Sequence, residues 1–256
     1  MKISVLTTIY NRPEHLRLLG AALAAQTRRP DESVVADDGS DAATVAAMGH
    51  CLARCGFPAT VVRQAKDGYR LAAARNKAIR AATGDYLLFL DCDIGLLPDA
   101  VAAHAQLAAP RRLLCGNRAL LDESATKALV AAAPAPSAAD WELAWAHSDG
   151  RERTEAARLF ARQSALRRWH LARPHKPKLL GCHFSLFRDE LGRLNGFDEN
   201  FVGWGYEDDD FARRYGFRAG LVPGVSVFAY MSRPLVDLMG KDWLERVSAE
   251  AHFLRP

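Results

Sequence analysis

Two aspartates one residue apart, Asp91 and Asp93, follow directly on the apolar run Tyr86-Leu87-Leu88-Phe89-Leu90. In an extended chain residues i and i+2 project to the same side, so both carboxylates can address one cation. Oxygen ligands of this kind suit Mg²⁺ or Mn²⁺, which usually take one or two carboxylates together with substrate phosphates. The same acids would also serve a solvated loop, or a helix cap ahead of Leu96-Leu97-Pro98-Asp99. A second acidic turn, Asp37-Asp38-Gly39-Ser40, ends the run Val34-Val35-Ala36. A carboxylate there can accept from a donor N–H such as that of a pyrimidine base, although Asp and Gly are equally what a strand-to-helix turn requires. Arg70 and Arg75 lie around Leu71-Ala72-Ala73-Ala74, with Asn76 and Lys77 following. On a helix that begins near Gly68 they could pair bidentately with a diphosphate, or form a solvated face.

The most informative stretch is Asn195 to Phe211, which contains Gly203-Trp204-Gly205-Tyr206 and then Glu207-Asp208-Asp209-Asp210. Four consecutive acids repel one another if they are packed. Such a cluster normally has a cation nearby, or one member with a raised pKa. A pyranose face stacks on indole while its hydroxyls need acceptors, so a carboxylate beside Trp204 makes a sugar site. The flanking glycines would let that loop move. The bland reading is an acidic turn opening a helix from Phe211, where the dipole favours acids. Other chemistries lack their signatures. There is no GxGxxG or Walker A loop to cradle a dinucleotide or triphosphate, no GxSxG, and no HExxH.

The elements that must position these residues form a regular series. Ile3 to Ile9 reads as a buried strand, and Pro13 to Gln26 as a helix with Asn11 as N-cap and Pro13 in its first turn. Strands follow at Ser33 to Ala36, Ala59 to Val62 and Tyr86 to Leu90. Helices span Ala42 to Arg54 and Leu71 to Ala82, the latter closed by Gly84. This rhythm predicts an α/β fold with a mostly parallel sheet covered on both faces. Ligands in such folds collect beyond the carboxyl ends of the strands, at Thr8 to Asn11, Asp37 to Ser40 and Asp91 to Asp93.

We expect one continuous domain in three parts. Residues 1–117 form the first half, 118–178 a variable helical insertion, and 179–256 the half that carries the acidic cluster. The insertion holds Trp141, Trp145 and Arg167-Arg168-Trp169. It would shape a binding site, and its charge would suit an anionic glycan, a lipid-linked ligand or a membrane surface. The 256 residues are 49% hydrophobic and 25% charged, with 18 Gly and 12 Pro, which excludes disordered, collagenous and coiled-coil classes. A net charge of +4 is too small to announce nucleic acid. Five cysteines without a CxxC pair predict a reduced, cytoplasmic interior, with Cys51 and Cys55 as core thiols. The N-terminal apolar run is too short for a signal sequence, and nothing approaches a membrane span.

Thr8-Ile9-Tyr10-Asn11, Asp37-Asp38-Gly39-Ser40, Ala74-Arg75-Asn76, Gly84-Asp85-Tyr86 and Asp91-Cys92-Asp93 together resemble family-2 glycosyltransferases with the GT-A fold, a Rossmann-like architecture. Gly196 to Phe211 resembles the C-terminal signature of β-1,4-galactosyltransferases and bacterial chondroitin-polymerase-like enzymes. The resemblance covers residues 2–117 and about 179–232. It implies an inverting, metal-dependent transfer of galactose, GalNAc or a related hexose from a UDP-sugar to a glycan or lipid-linked hydroxyl, in polysaccharide biosynthesis, in the cytoplasm or at the inner face of the membrane. Thr8, Tyr10 and Asp38 would hold the uridine, Arg75 the diphosphate, and Asp91 the ribose or the metal's shell. Asp93 would ligate Mn²⁺ (or Mg²⁺). Trp204, Glu207 and Asp209 would bind sugars, and Asp208 matches the family's catalytic base.

One departure stands out. The family usually supplies a further metal ligand, often His, after a later strand. Here that strand reads Val225-Ser226-Val227-Phe228-Ala229-Tyr230-Met231, so Met231 either takes that place or is core. Two other readings remain: a carbohydrate-binding module without turnover, and a two-metal phosphodiesterase, which leaves Trp204 and the glycines unexplained.

Overall fold

The computed structural model describes residues 1–116, 118, 120–132, 136–146, 148, 158, 162, 165, 179–203, 205 and 207–216. Trp204, Tyr206, Arg167-Arg168-Trp169 and the 225–233 stretch with Met231 lie outside the described residues, as does the side chain of Trp145.

Among the described residues six strands form one mixed sheet. β1 (Ile3–Ile9), β2 (Glu32–Asp37), β3 (Ala59–Arg63) and β4 (Tyr86–Asp91) run parallel, in the order β3-β2-β1-β4. β6 (His183–Phe187) lies antiparallel against β4, and β5 (Leu114–Cys115) antiparallel against β6 at the edge. Helices α1 (Pro13–Ala24), α2 (Ala42–Ala53), α3 (Leu71–Ala81) and α4 (Ala100–Leu107) alternate with the strands. The described part of the insertion supplies α5 (Glu123–Ala131) and α6 (Ala138–Ala146), and the last part α7 (Arg188–Leu194) and α8 (Glu207–Arg214).

Because strand side chains alternate, β4 feeds two cores at once. Leu87 and Phe89 pack on one face with Leu6, Ala74, Phe184, Phe197 and Phe211. Tyr86, Leu88 and Leu90 pack on the other with Leu19, Leu23, Leu129 and Trp141. Phe89 stacks on Phe184 at 4.4 Å, and Phe197 on Phe211 at 4.6 Å. Phe197 and Phe211 of the Gly196–Phe211 motif are therefore core residues, and they pin the acidic helix α8 to the sheet.

Three sequence expectations change. Asn11 does not cap α1; Arg12 occupies that position without a side-chain bond. Asn11 instead adopts φ +50°, accepts from the Asp41 N–H at 3.0 Å and donates its own N–H to Ser40 Oγ at 2.9 Å, tying the end of β1 to the turn after β2. Gly84 is not a left-handed helix stop: α3 ends on an extended Ala82. It is required because a Cβ there would lie 2.4 Å from Ser4 Oγ and 2.8 Å from the Lys2 carbonyl oxygen. Finally, the last helix starts at Glu207, not Phe211, so all four acids occupy its first turn.

Candidate functional site

The carboxyl ends of β1, β2 and β4 bring the predicted donor residues side by side. Thr8 is in register with Ala36 on one side and Asp91 on the other, and Ile9 with Asp37. Of the paired acids after β2, Asp37 is structural: it accepts from Arg63 Nε at 2.7 Å and from the Ser40 N–H at 2.9 Å. Asp38 accepts from Lys66 Nζ at 2.8 Å and Gln64 Nε2 at 2.5 Å. The same ammonium stands 3.6 Å from the centroid of the Tyr10 ring. Tyr10, Asp38, Gln64 and Lys66 thus form one group. A carboxylate has about four acceptor positions, so Asp38 keeps capacity for a further donor.

Arg75 is the centre of the second group. Its guanidinium is 4% exposed, donates to Glu207 Oε1 at 3.0 Å and to the Gly181 carbonyl at 2.9 Å, and lies 3.5 Å from Asp91 Oδ1. The Gly181 N–H in turn donates to Asp208 Oδ2 at 3.2 Å. A side chain at Gly181 would meet both Arg75 Nη2 and Asp208 Oδ2 at 3.0 Å, so only glycine lets these groups close up. The sequence sends Arg75 to a diphosphate and Glu207 to sugar hydroxyls. In the structure they meet each other, because a buried carboxylate needs a counter-charge close by and Arg75 supplies it.

The acidic helix divides its labour. Asp210 pairs with Arg213 at 3.0 Å and Arg214 at 2.6 Å, and Arg214 also donates to the Leu194 and Gly196 carbonyls, locking α8 to the preceding loop. Asp208 Oδ1 accepts the Asp209 N–H at 2.9 Å. Asn76, given no role by the sequence, holds Phe197 like a strand neighbour, donating to its carbonyl at 2.8 Å and accepting its N–H at 2.9 Å. Gly196, at φ +68°, is glycine partly because a Cβ would sit 2.5 Å from Asn76 Oδ1.

Burial raises the pKa of Asp91, opposed by Arg75 and reinforced by Asp93. Burial likewise raises Glu207, with Arg75 again opposing and Asp208 reinforcing. Burial and the two flanking aspartates push the Cys92 thiol up to about 12, keeping it neutral between them. Asp91 and Glu207 therefore share the Arg75 guanidinium. Among the described residues Asp93 and Asp208 have no ion pair. This excess of hard oxygen donors fits a divalent cation held by Asp91 and Asp93, although no cluster of three or more protein ligands forms among the described residues.

Behind β4 lies a polar chain that sequence reasoning missed. Tyr86 Oη meets Ser185 Oγ at 2.6 Å, Ser185 Oγ meets His104 Nδ1 at 2.5 Å, and His104 Nε2 meets His183 Nε2 at 2.9 Å. Burial and the neighbouring His183 push His104 down to about 4. In the unfolded chain it titrates near 6.5, so below that pH only the unfolded state takes up the proton. Stability is accordingly expected to be full above about pH 6.5 and to fall by about 2–3 kcal/mol by pH 4.5. Urea denaturation at the two pH values tests this, and His104→Asn should flatten the difference. An undiminished difference in that variant would remove His104 as its source.

A mixed, mostly parallel sheet flanked by helices, with acids at its strand ends and a second acidic group on α8, has the GT-A architecture. Comparison with known proteins agrees. Residues 4–127 match the family described as Glycosyl transferase family 2, and residues 162–227 match the N-terminal domain of galactosyltransferase. The chain is 26% identical to hyaluronan synthase of Pasteurella multocida over 91% of its own length and 24% of that protein's. It is 28% identical to chondroitin synthase of Escherichia coli over 83% and 32%. It thus spans a quarter to a third of these relatives. The mannosyltransferase PcManGT from Pyrobaculum calidifontis, solved with GDP-Man and Mn²⁺, shares the fold with a TM-score of 0.54 at 21% identity, covering 98% of this chain and 66% of that one. The chain is thus similar to family-2 glycosyltransferases over its first part and to galactosyltransferases over its C-terminal part.

Proposed function

We propose that this domain transfers a hexose, galactose or GalNAc in the first instance, from a UDP-sugar to a hydroxyl of a glycan or lipid-linked acceptor, with inversion at the anomeric carbon. The observation that carries this reading is the single linked constellation Asp91–Arg75–Gly181–Asp208, set beside the Tyr10–Asp38 group at the strand ends. In the proposal Thr8, Tyr10 and Asp38 hold the uridine. Arg75, fixed by Glu207, keeps Asp91 and the 181 turn in place and lends positive charge to the side where the diphosphate leaves. Asp208 takes the proton of the acceptor hydroxyl while that oxygen attacks the anomeric carbon, and the electron pair of the breaking C–O bond leaves with UDP. Asp209 and Trp204 supply contacts to the sugars. A Mn²⁺ or Mg²⁺ ion held by Asp93 and Asp91 neutralises the diphosphate when bound. No described helix is long and apolar enough to cross a membrane.

Thermal unfolding with Mn²⁺ plus UDP, against Mn²⁺ plus GDP or ADP and each component alone, tests the donor half. Ligand at a hundred times its Kd adds about 2.7 kcal/mol, a readily measured shift. A shift specific to UDP and dependent on metal is expected; no shift with any nucleotide would favour the binding-module reading. Asp93→Ala is expected to abolish the metal-dependent part of UDP binding in the same assay. A normal Mn²⁺ titration in that variant would take Asp93 out of the metal site.

A further inference from the structure

A cavity of 360 Å³ lies between the Asp91–Asp93 turn and the insertion helices α5 and α6. Its apolar lining includes Leu96, Leu129 and Trp141, all of them buried, and its polar lining includes Asp93, Arg118 and His183. This volume falls within the range of small-ligand sites.

Two observations say what it would hold. Trp141 is nine-tenths buried, and its indole N–H has no partner among the described residues; Nδ1 of His15, another lining residue, is likewise buried and without a partner among them. A buried donor normally finds an acceptor, which a ligand here would supply. The indole is also fixed as a wall: a Cβ on Gly95 would come within 2.4 Å of its Cζ3 atom. The second observation is position. Asp93 belongs to both the paired-acid turn and the cavity lining. His183, also in the lining, stands two residues from Gly181, whose N–H holds Asp208, a span of about 7 Å along the chain.

We infer that the acceptor is a glycoside with an apolar aglycone, and that this cavity lodges the aglycone while the sugar hydroxyl reaches Asp208. The glycosidic oxygen is an acceptor of the kind the Trp141 N–H lacks. The inference rests on the transferase reading for the sugar end, but the cavity itself can be tested by binding alone.

The experiment is calorimetric titration of the whole chain with octyl, phenyl and methyl β-D-galactoside, the octyl compound below its micelle-forming concentration. Each buried methylene is worth roughly a fourfold gain in affinity, so burial of three or four makes octyl about a hundredfold tighter than methyl. A still tighter phenyl glycoside would assign an aromatic rather than aliphatic aglycone. Ala144→Phe on α6 and Thr126→Trp on α5 fill the cavity from two sides, so one misfolded variant does not end the test. Both should lose the octyl advantage and keep the thermal shift with Mn²⁺ and UDP. Equal affinities for octyl and methyl overturn the inference. So does an octyl advantage that survives in both filled variants, which marks an adventitious additive only. An octyl advantage confined to the unfilled cavity, without any nucleotide shift, would keep the apolar site and sink the transferase reading.

Discussion

Asp208→Asn is expected to slow sugar transfer by a factor of about 10²–10⁴ while leaving UDP affinity unchanged, the range a positioned general base contributes. The amide is nearly isosteric with the carboxylate, and its oxygen can still accept the Gly181 N–H that now meets Oδ2 at 3.2 Å. What disappears is the ability to take a proton. Asp208 makes no contact with the Tyr10–Asp38 group among its described bonds, so the donor's uridine should not register the change. Two measurements separate the outcomes: turnover with a saturating UDP-sugar, and the thermal shift with Mn²⁺ and UDP. Unchanged turnover would remove Asp208 from the role of base, and loss of both signals would recast it as a structural residue of the donor site.

The second large effect is on stability. Arg75→Met should cost about 3–5 kcal/mol, the range for breaking a buried ion pair from one side, because Glu207 and Asp91 lose the charge that offsets their burial. In a chain of this size that corresponds to a fall in Tm on the order of 10 °C. The sign of the pH response follows from Glu207, whose carboxyl is already raised by burial. Without Arg75 its folded pKa rises further, so the loss should shrink as pH falls and the carboxyl takes up a proton. Arg75→Met with Glu207→Gln should recover part of the stability, since both buried charges then go together. A loss below about 1 kcal/mol in the single variant would show that water reaches the pair, whatever its depth.

How far the sequence carried can be judged from particular residues. The parallel strands β1, β2 and β4 were legible because each is a short apolar run, and burial on both faces leaves no polar alternation to confuse the pattern, whereas β3 at the sheet edge is only half-buried. The clamp by Asn11 was not, because Asn11 looks locally like an ordinary N-cap and only the register of β1 with β2 turns it elsewhere. Gly84 and Gly181 carry no local sign of the backbone approaches they permit. The Arg75–Glu207 pair joins residues 132 positions apart, and no spacing rule reaches that far. The acids at the start of α8 were visible as a cluster. Asp210 is paired within α8 by Arg214, but the partners of Glu207 and Asp208, Arg75 on α3 and the Gly181 turn, come from distant parts of the chain.

The antiparallel strand β6 has a consequence for how the protein is made. Tyr86 pairs with Phe187, about a hundred residues downstream, so the β4 edge and Phe89 emerge from the ribosome well before their partners. At about 5–20 residues per second the nascent chain carries that unpaired apolar edge for roughly 5–20 s. Only then can Gly181 arrive to set Asp208 against Arg75. The donor side of the cleft can therefore take shape early in synthesis, whereas the group proposed to perform the chemistry is completed last, when α8 follows the strand that covers the β4 edge.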